Sequence, residues 1–316
     1  MQNQLKNDNL TVSISPHIFS PRTTARIMLD VIIALIPALI AGTFIFGLRS
    51  LAVTAVCVAV SVWSEFIFNV ICKREQTADD LSAAVTGLLL ALNLSATTPL
   101  WQAAVGAFFA IIVVKCLFGG IGQNFANPAI TARIFMLVSF GSMAKSAFPV
   151  IVDSVSGATP LPVIEGTVNG NIPHVIDMLL GLYGGAIGET CTVALLIGGI
   201  YLICRRVITW HAPVSFIATV FLFTLAVTGE PILALYHILS GGLILGAIFM
   251  ATDYTTSPHT PSGKLLFGLG CGIITAVIRL WGSYPEGVSF AILFMNILTP
   301  FIDRLTARKT FGGKKA

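Results

Sequence analysis

The sequence predicts an all-α polytopic membrane protein with about ten transmembrane helices. Of its 316 residues, 55% are hydrophobic and 10% charged, against roughly 25% charged in soluble domains. The mean hydropathy is +0.89. The apolar residues also gather into runs near the ~20 residues that cross a bilayer, separated by short polar, glycine- or proline-bearing breaks.

The runs lie near 25–47, 51–71, 81–96, 100–118, 129–142, 176–203, 211–228, 232–250, 265–282 and 287–303. A polar stretch (Gln2, Asn3, Gln4, Lys6) precedes the first, the wrong order for a cleavable signal, so that run is expected to stay as an anchor. The third and fifth are short and carry polar residues, which predicts burial inside the bundle rather than contact with lipid. Ten runs divide into two halves of five, and an odd number per half makes the second half inverted. A weak echo agrees with this. Leu94-Ser95-Ala96-Thr97-Thr98-Pro99 resembles Ala251 to Pro258, each after an apolar run, and Asn127-Pro128-Ala129-Ile130 resembles Pro285-Glu286-Gly287-Val288 one run later. Inverted repeats place functional sites at broken helices between the halves.

Basic residues set the orientation. With the N-terminus inside, fourteen of the eighteen Lys and Arg fall on the inner side, Lys115 among them. Arg49 and Lys145 fall outside, and Arg133 and Arg279 fall within runs or at their ends. The chain therefore divides into an inner segment 1–24, a membrane domain 25–303 with an outer loop 143–175, and a basic inner tail 304–316. The net charge of +4 sits at membrane edges rather than along one face, so it gives no sign of a nucleic-acid partner. The six cysteines show no CxxC spacing, which supports no zinc site within the chain.

Five polar motifs stand out. Ser156-Gly157-Ala158-Thr159-Pro160-Leu161 lies in the outer loop, where small residues clear space beside the Thr159 hydroxyl and the prolines keep the chain extended. On the residues alone it is either a connector or a place for a bulky group on Thr159. Phe118-Gly119-Gly120-Ile121-Gly122-Gln123-Asn124, running on to Asn127-Pro128, is either a tight re-entrant turn or a cradle of free amides for an anion. In Gly184-Gly185-Ala186-Ile187-Gly188-Glu189-Thr190, the acid Glu189 is costly beside a span unless paired or solvated. Its bland roles are capping neighbouring amides or pairing with a base such as Arg279; ion coordination or a cofactor contact is the other reading. Asp253, in Met250-Ala251-Thr252-Asp253, is either a solvated acid or a ligand for a passing cation, and Asp79 and Asp80 pose the same choice, with Asp79 expected on the surface. Arg279, before Tyr284-Pro285-Glu286-Gly287, is an edge anchor, a phosphate holder or a partner contact.

Together these motifs resemble the RnfD and NqrB family of membrane subunits, from the Rnf and Nqr electron-transport complexes, and the resemblance runs from Ser15 to Asn296. It implies that Thr159 carries FMN through a phosphoester, with Ser156, Gly157, Ala158 and Arg279 as further cofactor contacts. Glu189 and Asp253 become ion-coupling candidates, and riboflavin is implied as a second flavin without a covalent link. The implied function is that of a membrane protein passing electrons between ferredoxin and NAD, coupled to export of Na⁺ or H⁺. Its partners are the other subunits of an Rnf-type complex, which hold the ferredoxin and NAD sites, and a flavin transferase. The first run begins only about 25 residues in, which favours the RnfD reading over NqrB and leaves quinone binding an open question. The rival reading is a cofactor-free channel or secondary transporter with inverted repeats.

Overall fold

The computed structural model describes residues 23–140, 174–282 and 287–307, so the Ser156–Thr159 motif and most of the 143–175 loop lie outside the described residues. Helices make up most of the described chain. α1 (Thr24–Phe46) and α2 (Leu48–Ile71) form an antiparallel pair about Gly47, whose φ of 80° makes the reversal. α3 (Ser82–Leu92), α4 (Leu100–Cys116) and α5 (Pro128–Ser139) complete the first half. The second half comprises α6 (Val175–Leu180), α7 (Thr192–Cys204), α8 (His211–Thr228), α9 (Pro231–Leu239), α10 (Leu243–Met250), α11 (Pro261–Trp281) and α12 (Gly287–Thr306).

Every expected run meets a helix, but they do not form ten full-length spans. Among the described residues, five helices (α1, α2, α8, α11 and α12) are long and apolar enough to cross a bilayer alone, six if α9 and α10 count as one. The others are interrupted. The third run stops at Leu92, after eleven residues, about 16 Å at 1.5 Å per residue, or half a bilayer core. The sixth is two helices joined by the non-helical stretch 181–191. The eighth bends by 67° at Ser240-Gly241-Gly242, where Gly241 takes a φ of 64°. Freed backbone groups at such depth are tolerated only where protein satisfies them. That happens here: Ile187 N–H donates to Leu94 O (2.9 Å) and Gly188 N–H to Leu92 O (2.8 Å), closing the end of α3 with the interruption of the sixth run.

The two halves repeat one packing scheme. The second member packs on the fourth (α2 on α4, α8 on α11) and the fourth on the fifth (α4 on α5, α11 on α12), while the halves meet first to first (α1 on α7) and last to last (α5 on α12). Close approach of α1 and α7 depends on Gly198, where a Cβ would collide with Ala34 O. α3 is buried along nearly its whole length, as its polar residues predict.

Candidate functional site

Two polar centres are built where helices stop short. The first is a cavity of about 390 Å³ at the end of the bundle that carries the starts of α1 and α3 and the end of α10. Ile27, Val85, Leu89 and Phe249 give it apolar walls, and Asn124, Asn127, Thr252 and Asp253 supply polar groups. The glycine-rich connection shapes one side. Gly119, Gly120 and Gly122 have φ of 123°, 101° and 87°, conformations that favour glycine and let the chain turn tightly here. The turn delivers Asn124, whose Nδ2 donates to Ala126 O and to Thr255 Oγ1, both at 3.0 Å. Asn127 caps α5 through Oδ1, accepting from Ala129 and Ile130 N–H, and its Nδ2 donates to Met250 O (3.4 Å). The asparagines therefore tie the end of the first half to the end of α10.

Lys115 also lines this cavity. A count of charges along the sequence puts it on the inner surface, yet it is 3% exposed, on a widened π-helical turn (Phe109–Cys116) of α4. Its Nζ lies 2.8 Å from Glu65 Oε1 and 2.5 Å from Ser82 Oγ. Glu65, in α2, is 1% exposed. Thr77 Oγ1 donates to the same carboxylate oxygen (2.9 Å), and Ser82 Oγ donates to Asp80 Oδ1 (2.5 Å). Asp79 is exposed, as expected, while Asp80 belongs to this network.

Asp253 faces the cavity in the connection after α10. Its carboxylate accepts from the hydroxyls of Thr255 and Thr256 at 3.2 Å each. Enclosure by protein pushes its pKa above the ordinary aspartate value, and the hydrogen bonds only partly offset this. The carboxyl keeps some exposed area because it opens on the cavity.

The second centre surrounds Glu189. This acid is buried, and its partner is Arg133 of α5, Nη1 to Oε1 2.7 Å, where the sequence alone offers Arg279 as a partner. Arg133 Nη1 also donates to Asn93 Oδ1, just past the end of α3. A Cβ on Gly242 would come within 2.6 Å of Glu189 Oε1. The ion pair thus sits where three interruptions meet: the end of α3, the 181–191 stretch and the α9–α10 bend. Arg279 is 2% exposed rather than an edge anchor, and it donates to His237 O and to Ser240 O (3.2 Å), carbonyls that the bend frees. Glu189 and Arg279 therefore brace the same break, and neither lines the cavity that holds Asp253. Reading the motifs misses Glu65. The signal is there: an acid inside an apolar run requires a buried base.

An un-phosphorylated flavin fits the cavity. Small-molecule pockets hold roughly 300–1,000 Å³ with mostly apolar walls and a few polar groups, and the asparagine amides suit a ring edge bearing carbonyl and imino groups. Lys115 is the only cation among the described lining residues, and Glu65 already neutralises it, so a phosphate would find no free positive charge there.

Residues 11–312 match the NQR2, RnfD, RnfE family. The chain is 48% identical over 310 residues to the D subunit of the Na(+)-translocating ferredoxin:NAD(+) oxidoreductase complex of Acetobacterium woodii, covering 97% of this chain and 96% of that protein. It is 38% identical to the D subunit of the proton-translocating ferredoxin:NAD(+) oxidoreductase complex of Clostridium ljungdahlii, covering 99% of each. It is 37% identical to the D subunit of the ion-translocating oxidoreductase complex of Stutzerimonas stutzeri, covering 91% and 92%. The family match over residues 11–312 and the near-full-length identity to these relatives make this multi-pass helical chain a member of the NQR2, RnfD, RnfE family.

Proposed function

We propose that this chain is the membrane D subunit of an ion-translocating ferredoxin:NAD electron-transport complex. The observation that carries this reading is its full-length likeness to relatives that bear that name. Thr159 holds FMN by a phosphoester on the outer face of the cell membrane, with both termini in the cytoplasm. A separate flavin transferase attaches the FMN, and other subunits of the complex hold the ferredoxin and NAD sites. The cavity between α1, α3 and α10 takes a second flavin, riboflavin, without a covalent link. Flavins supply one-electron chemistry when bound; the protein supplies position, charge and exclusion of water. Asn124 Oδ1 and the second Nδ2–H of Asn127 would hold polar edges of the group, and Ile27, Val85 and Phe249 would wall it with apolar surface. The exported cation is Na⁺ or H⁺, the two named among the relatives.

The rival reading is a cofactor-free channel or transporter, which the broken helices at Leu92 and Ser240 favour. Denaturing electrophoresis of the purified complex separates the two. A yellow fluorescent band at the mass of this chain, with riboflavin in the acid extract, supports the flavin reading. A colourless band and a flavin-free extract would leave the transporter standing.

A further inference from the structure

The network that backs Lys115 connects the cavity to solvent. Thr77 is exposed, and its hydroxyl donates to Glu65 Oε1 while accepting from Asn69 Nδ2 (3.1 Å). Glu65 Oε1 holds Lys115 Nζ, and Lys115 lines the cavity. A continuous chain of hydrogen-bonding groups thus runs from the surface to the cavity wall in three side chains. Glu65 Oε2 is buried without a hydrogen-bond partner, as is Ser61 Oγ one turn earlier on α2. A buried carboxylate oxygen left bare is expensive, so this carboxyl gains more from neutralisation than one that is fully hydrogen-bonded.

We propose that Glu65 and Lys115 form a proton-binding switch that offsets charge arriving in the cavity. The proposal rests on the cavity being a redox site. In the resting state Lys115 is neutralised by Glu65, so the pair carries no net charge. When one electron from the complex adds negative charge to the cavity, Lys115 is drawn toward it. Glu65, losing its counter-charge, takes the Thr77 hydroxyl proton on Oε1, the oxygen that hydroxyl already faces, and Thr77 regains one proton from solvent. One electron and one proton enter together, and both leave on re-oxidation. The low-dielectric surroundings make the coupling strong, because charges a few ångströms apart there interact several-fold more than in water.

Other charged and titratable groups face the pair. Cys116 lies beside Lys115 on α4, Cys72 and Arg74 follow the end of α2, and Asp80 reaches Lys115 through Ser82. Asp253 faces the same cavity from the α10 side. The test must therefore separate Glu65 from Asp253.

The experiment compares the purified complex carrying the wild-type chain, Glu65→Gln, Asp253→Asn or Thr77→Val. Acid-extractable flavin is measured first, then the infrared difference spectrum between reduced and oxidised forms. The expected result is a protonated-carboxyl band that appears on reduction in the wild type and in Asp253→Asn and is lost in Glu65→Gln. Thr77→Val, which leaves the buried ion pair intact and so survives if Glu65→Gln fails to fold, should slow the appearance of that band several-fold. A wild type with no extractable flavin overturns the cavity reading and the switch with it. Flavin at wild-type level with a band that persists in Glu65→Gln, or is lost only in Asp253→Asn, overturns the switch alone. So does an unchanged rate in Thr77→Val, or a carboxylate shift that follows Na⁺ and not pH.

Discussion

Arg133 Nη1 stands 2.7 Å from Glu189 Oε1 and binds Asn93 Oδ1 with the same nitrogen, so one guanidinium joins α5, the end of α3 and the 181–191 interruption. Removing one partner of a buried pair leaves an uncompensated charge, at a cost of about 3–5 kcal/mol. Glu189→Ala is accordingly expected to lower the thermal midpoint in detergent sharply. Glu189→Gln keeps the shape and removes the charge, and it should impair ion uptake into vesicles more than it lowers covalent flavin. Normal transport with normal flavin content would make Glu189 a structural acid only.

If Thr159 carries the flavin as proposed, Thr159→Ala should abolish the covalent flavin while the protein still inserts and folds, because substitutions away from a packed core change stability little, within about 0.5 kcal/mol. Mass spectrometry of the purified chain reads this directly. An FMN adduct surviving in the mutant would move the attachment elsewhere, Thr167 being the next hydroxyl to examine.

Asp253 gives a pH signature. Its folded pKa is raised by enclosure, so the native state binds the proton more tightly than the unfolded chain. The stability this contributes is full below the unfolded pKa and is lost as pH rises through the raised folded value. Across that window the wild type is expected to lose thermal stability relative to Asp253→Asn. Parallel stability curves for the two proteins would mean that the carboxyl ionises in the fold as freely as outside it.

At Gly198 an added methyl would meet Ala34 O on the facing helix. Gly198→Ala should therefore push α7 off α1 and destabilise the protein by about 1–3 kcal/mol, despite alanine being the better helix former. An unchanged melting temperature would show that the α1–α7 contact yields without cost.

The proposed sidedness rests on the bias of basic residues. A cysteine at Val168 should react with an impermeant maleimide in intact cells, and one at Lys309 should not. The reverse pattern would invert the proposed topology.

The long helices are legible because their apolar runs are unbroken: α1, α2, α8, α11 and α12 all lie where composition puts them. The interruptions are less so. Ser240-Gly241-Gly242 is flanked by Leu and Ile on both sides, so a hydropathy window passes over the bend and reads a single span. The third run ends at Leu92 although the apolar stretch resumes at Leu94, because the carbonyls of Leu92 and Leu94 are taken by amides more than ninety residues later. The site is legible at Asp253 and Asn127, whose motifs mark them. It is not legible at Lys115, which a charge count places at the surface, since its partner Glu65 lies fifty residues earlier and only the α2–α4 packing brings them together. Thr159 remains an inference from its motif.

The widened turn of α4 has a consequence for how this chain tolerates change in length. Phe109–Cys116 holds its residues in i→i+5 bonding, which accommodates extra chain within a turn. Each residue of an ordinary α-helix advances the direction by about 100°. Deleting a single residue between Phe109 and Val114 lets the segment relax to a regular helix while the direction of the Lys115 ammonium is nearly kept. The same deletion in the regular helix before Phe109 would swing the ammonium by about 100°, away from Glu65 and out of the cavity wall. The irregularity is thus a reserve of chain length, and the loss of one residue is expected to be borne inside it and not before it.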